Sequence, residues 1–245
     1  MNYYQIGDHA IEYCFIYPET GDFFERFSCN ESKTENHTVL SVHTTKERME
    51  EAAKRRGLTV RYSPGAEYDV LALDTSSAMV PYGAFLFHSV AFEYRGKAIV
   101  FTGPSGIGKT TQYAQWKRLL RDEIKVISGD MPVMSFRDDG SIWMMPSPWN
   151  GKEHLHSDHQ APLGGIIVLE QAQINTITRI SPVESILPVY SQICLDRSDK
   201  ELIRLAFQME DELLRKIPVW RLSSRGDLDS ARLCHEAITG EIYGE

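Results

Sequence analysis

Residues 103–110, with the sequence GPSGIGKT, match the phosphate-binding loop pattern G-x-x-x-x-G-K-[ST] at every fixed position. In this pattern the glycines let backbone N–H groups turn towards phosphate oxygens, the lysine reaches the β- and γ-phosphates, and the last hydroxyl binds Mg²⁺. The apolar run at residues 97–102 predicts a strand before the loop, and residues 111–121 predict a helix after it. Because the pattern requires a strand, a glycine-rich loop and a helix in this order, it constrains the chain to an α/β fold.

A loop of this kind binds a nucleotide and Mg²⁺ through a defined set of residues. We expect Lys109 to contact the phosphates and the Thr110 hydroxyl to bind the metal. The predicted nucleotide-binding residues are Gly103, Ser105, Gly106, Ile107, Gly108, Lys109, Thr110 and Thr111.

Composition limits the classes of protein to consider. The 245 residues, 42% of them hydrophobic, are enough for one large domain or two small ones with a buried core. A net charge of −8 argues against the broad basic face of a nucleic-acid-binding protein. The chain shows no secretory signal and no apolar run of membrane-spanning length. With four cysteines and no C-x-x-C pair, we expect a cytoplasmic protein with reduced thiols that binds neither nucleic acid nor membrane.

The first 83 residues predict a separate layer of structure. Residues 1–43 contain short runs of β-formers separated by turns, which predicts a small antiparallel sheet. Residues 46–56 predict a charged helix ended by Gly57, and strands are predicted at 58–62 and 68–73. We therefore expect a β-rich N-terminal lobe over residues 1–83, packed on the core and not an independent domain.

Residues 84–245 predict the core that contains the phosphate-binding loop. A strand over 85–94 and the strand at 97–102 form a hairpin, and a short strand follows at 124–127. Further strands are predicted at 133–136, 141–145, 165–170 and 219–222, with a partner for the 165–170 strand at 176–180. Apolar residues at helical spacing over 199–216, and a second helix at 228–239, complete a compact α/β domain.

Phosphoryl transfer needs a metal ligand on a second strand and a group that takes the acceptor's proton. Asp130 follows the strand at 124–127, at the end where an α/β sheet presents residues to phosphates. Asp130 is therefore the candidate second ligand of Mg²⁺. The alternative is a turn aspartate before Met131-Pro132.

Two further regions carry reactive side chains. His88 lies in the apolar run 85–92 and is either a group beside the phosphates or a buried core histidine. Residues 146–154 are rich in turn formers; there Lys152 would hold a transferring phosphate and Glu153 or His154 would meet an acceptor hydroxyl, unless the segment is only a solvated loop. The candidate substrate-loop residues are Trp149, Asn150, Lys152, Glu153 and His154.

Three segments together, FHSVA at 87–91, GKAIVFTGPSGIGKTT at 96–111 and ISGD at 127–130, resemble the catalytic core of the HPr kinase/phosphorylase family. They are most similar to its short kinase-like relatives in bacterial gene clusters for modified peptides. The resemblance covers roughly residues 84–240. It implies a phosphoenolpyruvate-carboxykinase-like P-loop fold with a mixed sheet and flanking helices, the use of ATP and Mg²⁺, and phosphorylation of a serine hydroxyl on a protein or peptide.

The resemblance also implies roles for individual residues. Lys109 would contact the phosphates, Thr110 and Asp130 the metal, and His88 would lie beside the transfer site. The family usually has two adjacent aspartates where this chain has Gly129-Asp130, so the general base is Asp130 itself, His88, Glu153 or a group of the substrate. The segment tied to the phosphorylase back-reaction has no counterpart here, so we expect no phosphorylase activity. The oligomeric HPr-type enzymes suggest a homo-oligomer.

Three functions follow as hypotheses. The first is an ATP-dependent kinase that transfers the γ-phosphoryl group to a hydroxyl, serine by resemblance, of a peptide, protein or small-molecule acceptor. The second is a carboxykinase-like phosphoryl transfer, which would need an additional metal site and a cluster of arginines for a dicarboxylate. The third is a nucleotide-binding switch or partner protein with little turnover, which the glycine at position 129 keeps open.

Overall fold

The computed structural model describes residues 2–30, 39–55 and 57–241. Within these ranges the chain forms two β-sheets with helices packed against them. Parallel and antiparallel pairings occur in both sheets. The predicted α/β class with a mixed sheet and flanking helices is confirmed at this level.

The smaller sheet belongs to the N-terminal residues. Its strands lie in the order β3-β1-β2-β4, and a 3-10 segment, Pro18–Phe27, connects β2 to β3. β4 pairs in parallel with β2, so the expectation of a purely antiparallel layer is wrong. The strands are β1 (Asn2–Ile6), β2 (His9–Cys14), β3 (Ser28–Cys29) and β4 (Val39–His43).

Two helices follow this sheet, α1 (Lys46–Arg55) and α2 (Pro64–Met79). α1 was expected, whereas the strands predicted at 58–62 and 68–73 are wrong. The Ser63 hydroxyl accepts a hydrogen bond from the Ala66 amide, and Pro64 occupies the first helical position. This N-terminal cap starts a helix before the β-forming residues that follow, because a capped and buried helix overrides local β-propensity.

α2 is tied to the 3-10 segment through a buried carboxylate. Glu67 accepts hydrogen bonds from the Ile16 and Tyr17 amides, at 2.6 and 3.1 Å, and from the Thr20 hydroxyl at 2.6 Å. One apolar core joins these N-terminal elements to later residues, including Leu86, Val133 and Trp149. The boundary at residue 83 stays a prediction, since this core contains side chains from both sides of it.

The larger sheet has nine strands in the order β5-β9-β10-β11-β7-β6-β8, with β13 pairing with β11 and β12. Its strands are β5 (Ala84–Leu86), β6 (Ser89–Tyr94), β7 (Lys97–Thr102), β8 (Ile124–Ser128), β9 (Val133–Phe136), β10 (Ile142–Met145), β11 (Ala161–Gln171), β12 (Thr176–Ile180) and β13 (Val219–Ser224).

Two details of this sheet correct the sequence analysis. The strand predicted over 85–94 is interrupted at Phe87-His88, because β5 pairs with β9 whereas β6 pairs with β7 and β8. β12 does not pair with β11; β13 lies between them, parallel to β11 and antiparallel to β12. The chain therefore changes strand partners at His88, and this residue lies between β5 and β6 instead of within a strand.

Helices cover both faces of the larger sheet. Alternate residues of β7 face opposite sides. Ile99 and Phe101 pack with Trp116 of α3 (Lys109–Leu120), and Ala98 and Val100 pack towards α4 (Pro182–Tyr190) and α5 (Lys200–Lys216). α4 was not predicted, and the other three were. None of the helices in the described ranges is long and apolar enough to cross a bilayer. The helices are α3 (Lys109–Leu120), α4 (Pro182–Tyr190), α5 (Lys200–Lys216) and α6 (Leu228–Thr239).

A buried glutamate in α5 makes stability depend on pH. Glu210 is 2% exposed, and its Oε1 has no hydrogen-bond partner among the described residues. Burial raises the pKa of Glu210 from 4.5 to about 7, although a hydrogen bond from the Tyr190 backbone acts to lower it. The folded state therefore binds this proton more tightly than the unfolded state, and the stability that this provides below pH 4.5 is lost as the pH rises through 7.

We expect Glu210→Gln, which stays neutral, to be more stable than wild type at pH 8 by on the order of 3 kcal/mol. The difference should shrink towards zero near pH 4.5. Urea denaturation at both pH values measures it, with the exposed Asp211→Asn on the same helix as control. A stability difference that is the same at both pH values would contradict the assignment.

Candidate active site

The strand order brings three separate segments to one edge of the larger sheet. Ser89 at the start of β6 pairs with Thr102 at the end of β7, and Ala91 pairs with Ser128 at the end of β8. The residues that follow or precede these ends are therefore neighbours. The Thr102 hydroxyl donates to the His88 carbonyl at 2.9 Å, and the Ser89 amide donates to the Asp130 carbonyl at 2.7 Å.

The loop after β7 surrounds open space. Gly106 and Gly108 have φ values of 78° and 110°, which an L side chain rarely adopts. A Cβ atom built on either glycine would meet no other atom within 4 Å. α3 begins directly after the loop, so its first N–H groups, which lack intrahelical acceptors, lie at the loop. Glycine turns at the positive end of a helix form an anion-binding cradle.

Lys109 is folded back across this cradle. Its Nζ lies 3.0 Å from the Gly103 carbonyl oxygen and 2.9 Å from Nε2 of His88, and the residue is only 7% exposed. Burial lowers the pKa of Lys109 to about 8, with the charge of Asp130 acting in the opposite direction. The ammonium group also lies 3.4 Å from the Pro104 carbonyl oxygen, so it is held at the loop, where its charge suits it to bind an anion.

His88 has a defined tautomer. Its Nδ1 lies 3.0 Å from Oε1 of Gln192, whose amide nitrogen donates to the Ser191 hydroxyl at 2.8 Å. Because an amide oxygen only accepts, Nδ1 must carry the proton, and Nε2 accepts from Lys109. Burial and the charge of Lys109 lower the pKa of His88, although Gln192 and Asp130 oppose them. His88 is therefore a neutral acceptor facing the lysine.

Asp130 completes the group. Its Oδ1 lies 3.5 Å from Nε2 of His88. Burial raises the pKa of Asp130, the charge of Glu153 adds to this, and His88 and Lys109 oppose it. A carboxylate whose proton affinity is raised by burial is better suited than an ordinary aspartate to accept a proton. The structure thus brings together His88, Lys109 and Asp130, which the sequence analysis selected from three different segments.

Packing explains the glycine that precedes Asp130. A Cβ atom on Gly129 would lie 2.8 Å from the Asn150 carbonyl oxygen and 2.8 Å from Cβ of Leu155. The Gly129 amide also donates to the Leu155 carbonyl at 2.8 Å. The 146–154 segment therefore lies directly against position 129, and a second aspartate would not fit there without displacing backbone. Of the candidate bases considered above, Asp130 and His88 are the ones that contact each other at the cradle.

The candidate substrate loop forms one wall of a cavity of about 820 Å³, here called the acceptor cavity. Asn150, Lys152 and His154 line it together with Asp130. Trp149 also lines it, but it is 3% exposed and its indole N–H donates to the Tyr68 carbonyl, so it mainly supports the wall. Glu153 is exposed, and its negative charge contributes to the raised pKa of Asp130. Residues of the 3-10 segment and of α2 line the same cavity, and no sequence pattern connected them with the site.

A second cavity, of about 440 Å³, borders the cradle. Its lining joins Ile107, Gly108 and Thr111 to the carboxyl ends of β11 and β13, at residues 169–173 and 224–226. Gln112 also lines it and is nearly fully buried; its Oε1 accepts from Ser230, while its Nε2 has no hydrogen-bond partner among the described residues. In open α/β sheets, ligands bind at the carboxyl ends of parallel strands. This cavity therefore has the position of a ligand site beside the cradle.

The available metal ligands, a hydroxyl and a carboxylate, suit Mg²⁺ better than a metal that takes all of its ligands from protein side chains. Thr110 opens α3 beside the cradle, and Asp130 provides a carboxylate facing Lys109. No group of three or more histidine, cysteine, aspartate or glutamate side chains gathers as a metal site in the described ranges. Mg²⁺ is typically bound by one or two carboxylates and by substrate phosphates, a set that these two residues fit.

Comparison with known proteins finds a distant structural similarity. Neither a family model nor a curated protein matches the chain. Among solved structures, it is similar to the Hpr(Ser) kinase/phosphatase from Coxiella burnetii, with 12% sequence identity and a TM-score of 0.28. The match covers 53% of this chain and 91% of that chain. This is a distant structural relationship and does not place the chain in a family.

Proposed function

We propose that the protein is an ATP-dependent phosphotransferase that moves the γ-phosphoryl group to a hydroxyl of a peptide, protein or small-molecule acceptor. The observation that carries this proposal is the position of Asp130. It lies beside Lys109 and His88 at the open glycine cradle and also lines the acceptor cavity. One carboxylate thus borders both the place for the phosphates and a place for a second substrate.

In this mechanism the cradle amides and Lys109 hold the phosphates, and the nucleoside occupies the cavity beside Gln112. Thr110 and Asp130 would hold Mg²⁺, which would neutralise charge on the phosphates. Asp130 accepts the proton of the acceptor hydroxyl as the oxygen attacks the γ-phosphorus and the bond to the β-phosphate oxygen breaks. Neutral His88 keeps Lys109 directed at the cradle. The steric exclusion of a side chain at position 129 supports Asp130 as both metal ligand and base.

The test is incubation of the purified protein with γ-labelled ATP and Mg²⁺, with serine-containing peptides and small hydroxyl compounds as acceptors. Stable transfer of the label to a hydroxyl is the expected result. Tight ATP binding without transfer or hydrolysis would contradict the kinase and favour a nucleotide-dependent switch.

Gln192 is expected to act as a positioning residue for His88. Replacing it by alanine removes the acceptor that fixes the Nδ1–H tautomer, so the imidazole can turn an N–H group towards the Lys109 ammonium. We expect transfer to slow by about tenfold, which corresponds to about 1.4 kcal/mol in the barrier. Gln192→Glu, which retains an acceptor for Nδ1–H, should restore most of the rate.

Nitrogen chemical shifts of the His88 ring separate this role from a general loss of structure. Wild type and Gln192→Glu should show protonated Nδ1, and Gln192→Ala a mixture of tautomers. Gln208→Ala, an exposed glutamine on α5, is the matched control. Unchanged ring shifts in Gln192→Ala would overturn the positioning role, whatever the rate.

A further inference from the structure

N-terminal residues also line the acceptor cavity, and they present aromatic surface. Phe23 is 46% exposed, and its ring centroid lies 4.7 Å from that of Tyr68. The Tyr68 hydroxyl donates to the Pro148 carbonyl at 2.8 Å, which fixes this ring against the loop. The two rings are tilted by 38° to each other, so a partly exposed phenylalanine ring lies beside a tyrosine held in place and is available to a ligand.

The N-terminal lining also carries negative charge. Asp22 and Glu25 come from the 3-10 segment, and Asp69 comes from α2; all three are exposed and line the cavity. Arg26 also lines it, but its guanidinium binds Asp158 at 2.7 Å, a residue outside the lining. Lys152, the remaining Lys or Arg of the lining, belongs to the substrate loop. The N-terminal wall, defined as Asp22, Phe23, Glu25, Tyr68 and Asp69, is therefore aromatic and anionic.

Ring faces attract guanidinium and ammonium groups, and neighbouring carboxylates add charge-assisted hydrogen bonds. Apolar ligands would gain from the rings but not from the carboxylates, and anionic ligands would be repelled. The volume of about 820 Å³ lies near the upper end of the usual range for ligand pockets, which leaves room for a reacting residue and its neighbours. The two features together favour a cationic group attached to an extended acceptor.

We propose that the N-terminal wall binds a basic side chain of the acceptor, so that the acceptor is a basic peptide whose hydroxyl reaches Asp130. This inference rests on the proposed function and adds the charge class of its second substrate. The acceptor would span the cavity, with its arginine or lysine against Phe23 and Tyr68 and its hydroxyl at the cradle end beside Asp130. Specificity would then come from the N-terminal residues and chemistry from the larger sheet.

The test is direct binding of three blocked pentapeptides, measured calorimetrically with Mg²⁺ and a non-hydrolysable ATP analogue present. Each has a central serine, flanked by arginine, glutamine or glutamate. We expect the arginine peptide to bind at least tenfold more tightly than the glutamate peptide. Equal affinities, or no binding of the arginine peptide, would overturn the inference.

Two variants locate the binding to the wall. Phe23→Ala should weaken binding of the arginine peptide by about fivefold, as loss of a cation–π contact does. The double variant Asp22→Asn/Glu25→Gln should reduce the preference for the arginine peptide over the glutamate peptide. Phe207→Ala, an equally exposed phenylalanine on α5, is the control and should change neither. A preference for the arginine peptide that both wall variants leave intact would also overturn the inference. Arginine-peptide binding without transfer of γ-label would instead contradict the proposed function alone.

Discussion

Lys109→Ala is expected to lower the rate of phosphoryl transfer by 10²- to 10³-fold, the usual effect of losing one preorganised charge-stabilising contact. The lysine is already held at the cradle by the Gly103 carbonyl and His88, so little reorganisation is needed when phosphates bind. Its loss removes a positive charge at the point where negative charge develops on the transferring group. Measurement of initial rates with saturating ATP tests this expectation.

The pH dependence of nucleotide binding gives a second readout for the same variant. The pKa of Lys109 is about 8 in the free protein, so the ammonium loses its proton above that pH. Phosphate binding favours the charged form, and wild-type affinity should therefore weaken as the pH rises through 8. The alanine variant should lack this dependence.

Lys117→Ala, on the exposed side of the same helix, is the matched control and should behave as wild type. Melting temperatures show whether the alanine variant keeps its fold. Wild-type transfer by a folded Lys109→Ala protein would remove the lysine from the mechanism.

The parts of the site closest to the phosphates could be predicted from the sequence because they depend on local pattern. The GPSGIGKT segment, its preceding strand and its following helix are continuous in the chain. Asp130 could be placed because the end of an apolar strand identifies a sheet edge. His88 was found by its neighbourhood in sequence, but its contacts with Lys109 and Gln192 depend on a strand break that local pattern does not show.

What could not be predicted depends on long-range pairing. Gln192 follows α4, a helix whose start is marked in the sequence by the capping box of Ser181 and Glu184 and was missed, and it reaches His88 across more than a hundred residues. The strand predicted at 68–73 is a helix, and this error concealed the role of Tyr68 in the acceptor cavity. The capping signal Ser63-Pro64 was present in the sequence and could have indicated the helix. The glycine at position 129 is explained only by the loop packed against it.

Asp130→Asn is expected to have an effect at least as large as Lys109→Ala, with a loss of 10²- to 10⁴-fold in transfer, because one residue would serve as metal ligand and base. Asparagine keeps the shape of the side chain and removes its charge and its ability to take a proton. The exposed Asp122→Asn is the matched control. A folded Asp130→Asn protein with a wild-type rate would exclude Asp130 from the chemistry.

The two roles of Asp130 separate in binding and pH measurements. A metal ligand contributes only to the Mg²⁺-dependent part of ATP affinity, so at a pH low enough to keep Lys109 charged in both proteins Asp130→Asn should bind metal-free ATP as wild type does and lose the gain from Mg²⁺. A base must be deprotonated, so the wild-type rate should fall as the pH drops through the raised pKa of Asp130. The charge of Asp130 also raises the pKa of Lys109, so Lys109 should lose its proton at a lower pH in Asp130→Asn than in wild type. The ATP affinity of the variant should therefore begin to fall at a lower pH. If the Mg²⁺ gain persists while the acidic limb of the rate profile disappears, Asp130 is the base and another group holds the metal.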